Sequence, residues 1–163
     1  METDKTIKLR SNDNIIIELT RKAASKSGLL KGIIEDFPDD SEFPLNDVDG
    51  KTLEKIKLYL IHYQDKEPAP IKIPLPSENY KECVDLWDYN FVNEEFSIII
   101  SLILAANYMD IKPLLELCSS KIGIMIKGIT TESIKKEFDI TEPLTKEEEE
   151  QFLSEKSYLE ANL

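Results

Sequence analysis

Residues 102–128 read LILAANYMDIKPLLELCSSKIGIMIKG, and their pattern predicts two consecutive helices. The first is expected to run from Phe96 to Met109 and is apolar almost all round, as in a helix that is buried on every side. Its fourteen residues are too few to cross a bilayer. A core with a buried helix at its centre is therefore the starting point for the rest of the chain.

The second helix is expected to begin at Asp110, which suits an N-cap, and to tolerate Pro113 in its first turn. Its apolar residues fall into two neighbouring stripes at helical spacing. The first stripe holds Ile111, Leu115, Cys118, Ile122 and Met125, and the second holds Leu114, Leu117 and Ile124. Two stripes need two partners, so we expect the core to cover the first stripe and to leave the second one over.

Short strands and short helices precede this helical pair. Apolar and polar residues alternate on both sides of Ser11–Asn14, which predicts a β-hairpin with a four-residue turn. The expected inward positions are Ile7, Leu9, Ile15, Ile17 and Leu19. Thr20 and Ser27 can each cap a short helix, Phe43–Leu45 can form an edge strand despite its proline, and a longer helix is expected to begin near Asp49. Strands followed by helices indicate an α+β fold.

The segment between this helix and the central pair shows no sustained period. Residues 64–86 hold four of the eight prolines and are predicted to be an extended, variable loop. Trp87, Phe91 and Val92 are expected to attach the chain to the core again before the central helix begins.

The chain contains four notable motifs: LILAANYMDI at residues 102–111, MIKG at 125–128, Leu86-Trp87-Asp88 with Phe91, and the acidic run at Thr145–Glu150. Together they resemble the Skp family, the adaptor subunits of SCF ubiquitin ligases. The resemblance implies a BTB/POZ-type domain at residues 1–126 that docks on a cullin, and an F-box-binding helical extension at 127–163. The chain departs from the family pattern at Tyr158, where members usually carry a larger tryptophan.

The charge of the chain argues against two classes of partner. A formal net charge of −12 repels the phosphates of nucleic acids and the head groups of anionic membranes. Half of that charge falls after Gly128, where ten acidic residues face four lysines. This suggests a solvated acidic surface on the C-terminal part. With no leader or long apolar run in view, we expect a cytoplasmic and nuclear protein.

No catalytic set, metal site or cofactor site is predicted, so we expect a protein that is not an enzyme. His62 is a lone histidine without a nucleophile motif, and such a residue is far more often structural. Cys83 and Cys118 are far apart and are expected to be reduced thiols. The acids at Glu147–Glu150 lack the alternating spacing of a calcium loop and suit the start of a helix, with Thr145 and Glu148 as a capping box.

Two surfaces are therefore expected to bind partners. By the family motif, Asn107 and Tyr108 are the candidate cullin contacts, and residues 29–43 are expected to complete the same face. The candidate F-box contacts are Pro113, Leu117, Ile124, Ile126, Ile129, Ile134, Phe138, Ile140, Phe152 and Tyr158. Without the family, Asn107 and Tyr108 would be an ordinary helix end, and the C-terminal apolar residues could equally close on one another as a small second core.

Alternatives to the adaptor function remain open at this point. The BTB-like face could pair with itself, either as a stable structural homo-oligomer or as a weak homodimer when the chain is free. An elongin C-like adaptor fits less well, because that family stops before the acidic C-terminal helices.

Overall fold

The computed structural model describes residues 5–39, 41–127, 130–137 and 145–161, except the side chains at positions 131, 134, 137, 152 and 156–161. These residues form an α+β structure that divides into two compact units, Met1–Met125 and Ile126–Leu163. The strands are β1 (Thr6–Ser11), β2 (Ile16–Thr20) and β3 (Glu42–Leu45). The helices are α1 (Arg21–Ala24), α2 (Gly28–Asp36), α3 (Gly50–His62), α4 (Leu86–Phe91), α5 (Phe96–Tyr108), α6 (Lys112–Ile126), α7 (Thr131–Glu137) and α8 (Lys146–Ala161).

The three strands form one sheet in the order β2-β1-β3, with β1 antiparallel to β2 and parallel to β3. The pairs Ile7↔Leu19 and Leu9↔Ile17 point into the core, as the alternation predicts. The predicted turn is displaced, however. Ser11 still belongs to β1, and Ile15 is 44% exposed because Asn14 turns the chain in the left-handed region, with a φ of 66°. Pro44 lies on an edge strand, as expected.

Side-chain caps define the starts of the first three helices. Thr20 accepts a hydrogen bond from the backbone N–H of Ala23 at 3.2 Å, and Ser27 accepts one from Leu30 at 3.2 Å. Asp49 accepts one from Thr52 at 3.0 Å, and α3 then buries Leu53, Ile56, Tyr59 and Leu60. The predicted caps at Thr20 and Ser27 are confirmed, and α3 begins next to Asp49, as expected.

The proline-rich segment is more ordered at its end than a variable loop would be. A 3-10 turn at Tyr80–Glu82 buries the ring of Tyr80, whose hydroxyl donates to the Leu117 carbonyl of α6 at 2.9 Å. In α4 and just after it, Phe91 and Val92 are buried, and the Trp87 ring stacks on Phe91 with centroids 5.1 Å apart. The expected attachment to the core is confirmed.

The central pair differs from the sequence prediction in two ways. Helix α5 is not buried all round, because Leu104 is 65% exposed while Ile99 and Leu102 are fully buried. Asp110 is not the N-cap of α6, which begins at Lys112. Asp110 adopts a φ of 51°, so it forms the turn between the helices instead of opening the second one.

The two stripes of α6 do not divide as expected either. Leu114 and Leu117, both assigned to the leftover stripe, are buried together with Ile111 and Cys118. The 64–86 segment reaches this part of α6, because its buried Tyr80 donates a hydrogen bond to the Leu117 carbonyl. Surplus apolar surface on α6 is therefore confined to its C-terminal end, where Ile126 is 37% exposed.

Candidate functional site

The end of α5 presents the first candidate surface. Asn107 is exposed and Tyr108 is 37% exposed, while Ala105, Ala106 and Met109 on the other faces are buried. Burial of the small alanines brings α5 close to the core and leaves the larger polar side chains outside. The structure thus places both predicted cullin-contact residues in accessible positions.

Sequence reasoning missed Leu104 as part of this exposed face. Leu104 and Tyr108 are four residues apart, so they lie one above the other on the helix surface. An exposed leucine beside an exposed tyrosine gives this end of α5 an apolar component. The four-residue spacing was visible in the sequence, but it could not show which side of an apolar helix faces solvent.

Helix α2 begins directly beside the end of α5. The buried Ser27 hydroxyl donates to the Met109 carbonyl at 2.6 Å, and the Gly28 N–H donates to the Asp110 carbonyl at 3.0 Å. Farther along, Phe37 is 56% exposed, and Leu29, Ile33 and Ile34 are half-buried against the core. The surface that we predicted to continue across residues 29–43 therefore has exposed and half-exposed apolar groups available.

The second candidate surface is described only in part. On α6, Pro113 is exposed, Leu117 is buried, Ile124 is half-buried and Ile126 is 37% exposed. The other predicted F-box contacts fall outside the description: Ile129, Phe138 and Ile140 as whole residues, and Ile134, Phe152 and Tyr158 as side chains. Leu117 is thus a core residue in this structure, and its predicted contact would need α6 to be uncovered.

The second unit contains two helices whose starts differ in quality. At α8, the Thr145 hydroxyl accepts from the Glu148 N–H at 3.3 Å, and the Glu148 carboxylate accepts from the Thr145 N–H at 2.8 Å, which confirms the capping box. The bonds that the Glu148 carboxylate accepts from the N–H and the hydroxyl of Thr145 lower the pKa of Glu148. At α7, the Thr130 hydroxyl accepts from the Ser133 N–H at 3.3 Å. Position 133 is a serine, however, where a complete capping box has a glutamate or glutamine. The start of α7 therefore has only half of the box.

The described residues contain little that could perform chemistry. The His62 ring lies flat on Trp87, with centroids 3.6 Å apart, and burial lowers its pKa. Cys118 and Cys83 are free thiols, and burial raises the pKa of Cys118 to about 12, so this thiol stays protonated at neutral pH. In the part of the chain that the structure describes, no group of three or more His, Cys, Asp or Glu could hold a metal ion.

The same part of the chain contains no helix that is both long and apolar enough to cross a membrane. The exposed and half-buried side chains on α2, at the end of α5 and at the end of α6 are available for contacts with other proteins.

Comparison with known proteins matches both ends of the chain to one family. The family model described as Skp1 family, tetramerisation domain, matches residues 5–65, and the one described as Skp1 family, dimerisation domain, matches residues 112–158. These matches confirm the resemblance and the predicted α+β fold of the POZ type.

Named relatives align over nearly the whole length. The chain is 38% identical over 155 residues to the S-phase kinase-associated protein 1 homolog of Tetrahymena thermophila, which covers 94% of this chain and 93% of the relative. It is 36% identical to the SCF ubiquitin ligase complex protein SKP1a of Dictyostelium discoideum, over 94% and 95% of the two chains. It is 34% identical to the E3 ubiquitin ligase complex SCF subunit sconC of Arthroderma otae, over 94% of each. The chain therefore belongs to the Skp1 family.

Proposed function

We propose that this chain is the non-catalytic adaptor of an SCF-type ubiquitin ligase, which joins a cullin scaffold to F-box substrate receptors. The observation that carries the proposal is the alignment with SCF subunits over more than nine-tenths of the chain. The exposed Asn107 and Tyr108 at the end of α5 support it, because a docking residue must be accessible.

The mechanism is positioning. In this proposal, residues 1–126 dock on the cullin through the end of α5 and the neighbouring face of α2. Residues 127–163, together with Pro113 and the C-terminal end of α6, hold the F-box helices. Bringing a substrate receptor and a scaffold into one assembly raises the effective concentration of the substrate at the ubiquitin-transfer machinery, with no chemical step on the adaptor itself.

Absence of catalysis is also part of the proposal. The relatives are named as subunits of a ligase complex, and the stacked His62 and the protonated Cys118 are poor candidates for a base or a nucleophile.

The test separates the two binding functions. We expect the double variant Asn107→Lys, Tyr108→Ala to lose cullin binding, because it places a charge on the docking face and removes its aromatic ring, and to keep F-box binding unchanged. Binding to a recombinant cullin and to an F-box protein would be measured separately by biolayer interferometry.

A matched control makes the same kinds of change elsewhere in the same unit. Asn90→Lys with Leu58→Ala alters two exposed residues, on α4 and α3, and should bind both partners like the wild type. Equal loss of both partners in the folded Asn107/Tyr108 variant would refute the proposal of two separate surfaces.

Self-association is the second candidate, and the exposed Leu104 favours it, because a bare apolar side chain on a central helix can pair with a second copy. Sedimentation at micromolar concentration discriminates between the two. A stable dimer that added cullin and F-box protein leave intact would favour a structural homo-oligomer over the adaptor.

A further inference from the structure

The turn between α5 and α6 is held against the start of α2 by three hydrogen bonds. The Ser27 hydroxyl donates to the Met109 carbonyl at 2.6 Å, and the backbone N–H groups of Gly28 and Leu29 donate to the carbonyls of Asp110 and Met109 at 3.0 and 3.3 Å. The first N–H groups of a helix have no partner within the helix, so the bonds from Gly28 and Leu29 satisfy groups that would otherwise be left unpaired.

Close packing adds to the hydrogen bonding at this contact. Ser27 and Met109 are fully buried. Gly28 lies so near the Asp110 side chain that a Cβ at position 28 would overlap the carboxylate. Asp110 itself has a positive φ, which is uncommon for a residue with a side chain and requires support from its surroundings.

This contact is directly connected to the exposed end of α5. The Asp110 N–H donates to the Asn107 carbonyl at 3.2 Å, and the Ile111 N–H donates to the Ala106 carbonyl at 2.8 Å. Asn107 and Tyr108 are thus bracketed by backbone bonds of the same turn that α2 fixes. A change in how α2 holds the turn would move both exposed side chains.

We propose that Ser27, Gly28 and Asp110, the α2–turn clamp, act as positioning residues that fix Asn107 and Tyr108 relative to α2 for cullin docking. The inference rests on the proposed function and adds a role for three residues that do not themselves present the docking face. The clamp joins the start of α2 to the end of α5 in one rigid surface, although Ser27 and Met109 are 82 residues apart in the chain. A preorganised surface loses less conformational freedom on binding and therefore binds more tightly.

Ser27 differs from the other helix caps in a way that permits a matched control. Thr20 caps α1 through the same kind of hydroxyl–amide bond, accepting from Ala23 at 3.2 Å, and lies in the same unit. The Thr20 hydroxyl also donates a long 3.5 Å hydrogen bond to Gln64, so replacing Thr20 removes a cap without touching the Met109–Asp110 turn. Ser27→Ala removes both the cap and the bond to Met109.

The experiment measures cullin affinity in a double-mutant cycle with purified full-length protein. We expect Ser27→Ala to weaken cullin binding by about tenfold. This is the change in affinity that corresponds to the loss of one buried hydrogen bond, if that bond holds the docking face in place. Thr20→Ala should leave the affinity unchanged, and F-box affinity should be unchanged in both variants. In a Tyr108→Ala background, Ser27→Ala should weaken the residual binding much less, because the residue that it positions is already gone.

Several outcomes would overturn the inference. One is that folded Ser27→Ala binds the cullin as tightly as the wild type does. Another is that Thr20→Ala weakens cullin binding as much as Ser27→Ala does. The third is that the effects of Ser27→Ala and Tyr108→Ala on the free energy of cullin binding add fully. If Ser27→Ala does not fold, Gly28→Ala replaces it, since it keeps the Ser27 bonds and displaces only the Asp110 side chain. Unchanged binding of that folded variant overturns the inference as well. A wild type that binds no SCF cullin would instead refute the proposed function, which is a distinguishable result.

Discussion

At the scale of single residues, Asp88 is the carboxylate that the fold buries most deeply among the described residues. It is 5% exposed, and the Tyr63 hydroxyl donates to its Oδ1 at 2.7 Å, which ties α4 to the end of α3. Burial raises the pKa of Asp88, although the Tyr63 hydrogen bond opposes the shift. A buried acid with one good donor is a place where a small change should have a measurable effect.

Removing the donor should destabilise the first unit. Tyr63→Phe leaves the Asp88 carboxylate without its hydrogen bond, and we expect the free energy of unfolding to fall by about 1–3 kcal/mol in urea titrations. Tyr89→Phe is the matched control, because it removes the hydroxyl of a half-buried tyrosine on α4 and leaves the Tyr63–Asp88 bond in place. Equal stability of the two variants would show that the Tyr63–Asp88 bond contributes nothing.

Removing the acid should change the pH dependence of stability. The folded pKa of Asp88 lies above its ordinary value of 3.8. As pH rises from 3.8 towards the folded pKa, the unfolded chain ionises first, so ionisation favours unfolding and lowers the stability of the wild type. Asp88→Asn lacks this effect and keeps an acceptor for Tyr63. Its stability relative to wild type should therefore rise over that interval and then level off.

Urea titrations between pH 3.5 and neutrality would measure this difference. A constant difference between wild type and Asp88→Asn at every pH would contradict the raised pKa.

At the scale of elements, the acidic run of α8 has one residue with a defined structural role. Glu148 accepts from both the N–H and the hydroxyl of Thr145, at 2.8 and 2.9 Å, while Glu149 lies on the same helix outside the box. Glu148→Ala should therefore increase amide exchange in the first turn of α8 more than Glu149→Ala does, although both remove one negative charge. An equal increase would mean that the charge near the helix start matters and the box does not.

The same box sets a pH dependence of the opposite sign to that of Asp88. The pKa of Glu148 is lowered from its ordinary 4.5 by its bonds to Thr145, so its contribution is present above that pH. It is lost as pH falls through the folded pKa. The fraying of α8 with acid should be weaker in Glu148→Ala, which has already lost the box.

Local features of these elements could be predicted from the sequence, and non-local ones could not. The caps at Thr20, Ser27 and Asp49 depend on atoms three residues away, so residue type and position suffice. The burial of Leu117 could not be predicted, because this part of α6 is contacted by Tyr80, 37 residues away in a segment without a period. Asp110 has the residue type of an N-cap, but its positive φ and its contact with Gly28 of α2 cannot be predicted from its neighbours in the sequence.

The candidate site shows the same limit. Asn107 and Tyr108 could be located by their match to a family motif, and both are accessible. Leu104 could not be identified as exposed, because a helix that is apolar on every face gives no sign of which face another molecule will cover. The motif identifies Asn107 and Tyr108, but it gives no sign that Ser27 contacts the turn between α5 and α6.

At the scale of the whole molecule, the proposed division of labour predicts where a partner changes the dynamics of the chain. We expect a synthetic F-box peptide to slow amide exchange within residues 113–158 and to leave residues 5–63 unchanged. Within α6 the gain should lie after Cys118, because Leu114, Leu117 and Cys118 are already buried in the free protein, whereas Ile126 is partly exposed.

Two comparisons make the exchange experiment decisive. The Asn107→Lys, Tyr108→Ala variant should show the same gain with the peptide, because its changes lie on the other proposed surface. If the wild type binds the peptide while residues 119–158 are already protected and stay unchanged, the C-terminal apolar residues form a second core of their own and the F-box site lies elsewhere. Protection that appears in residues 5–63 instead would move that site onto the first unit and put the two partners in competition. An adaptor that must hold both partners at once could not work in that way.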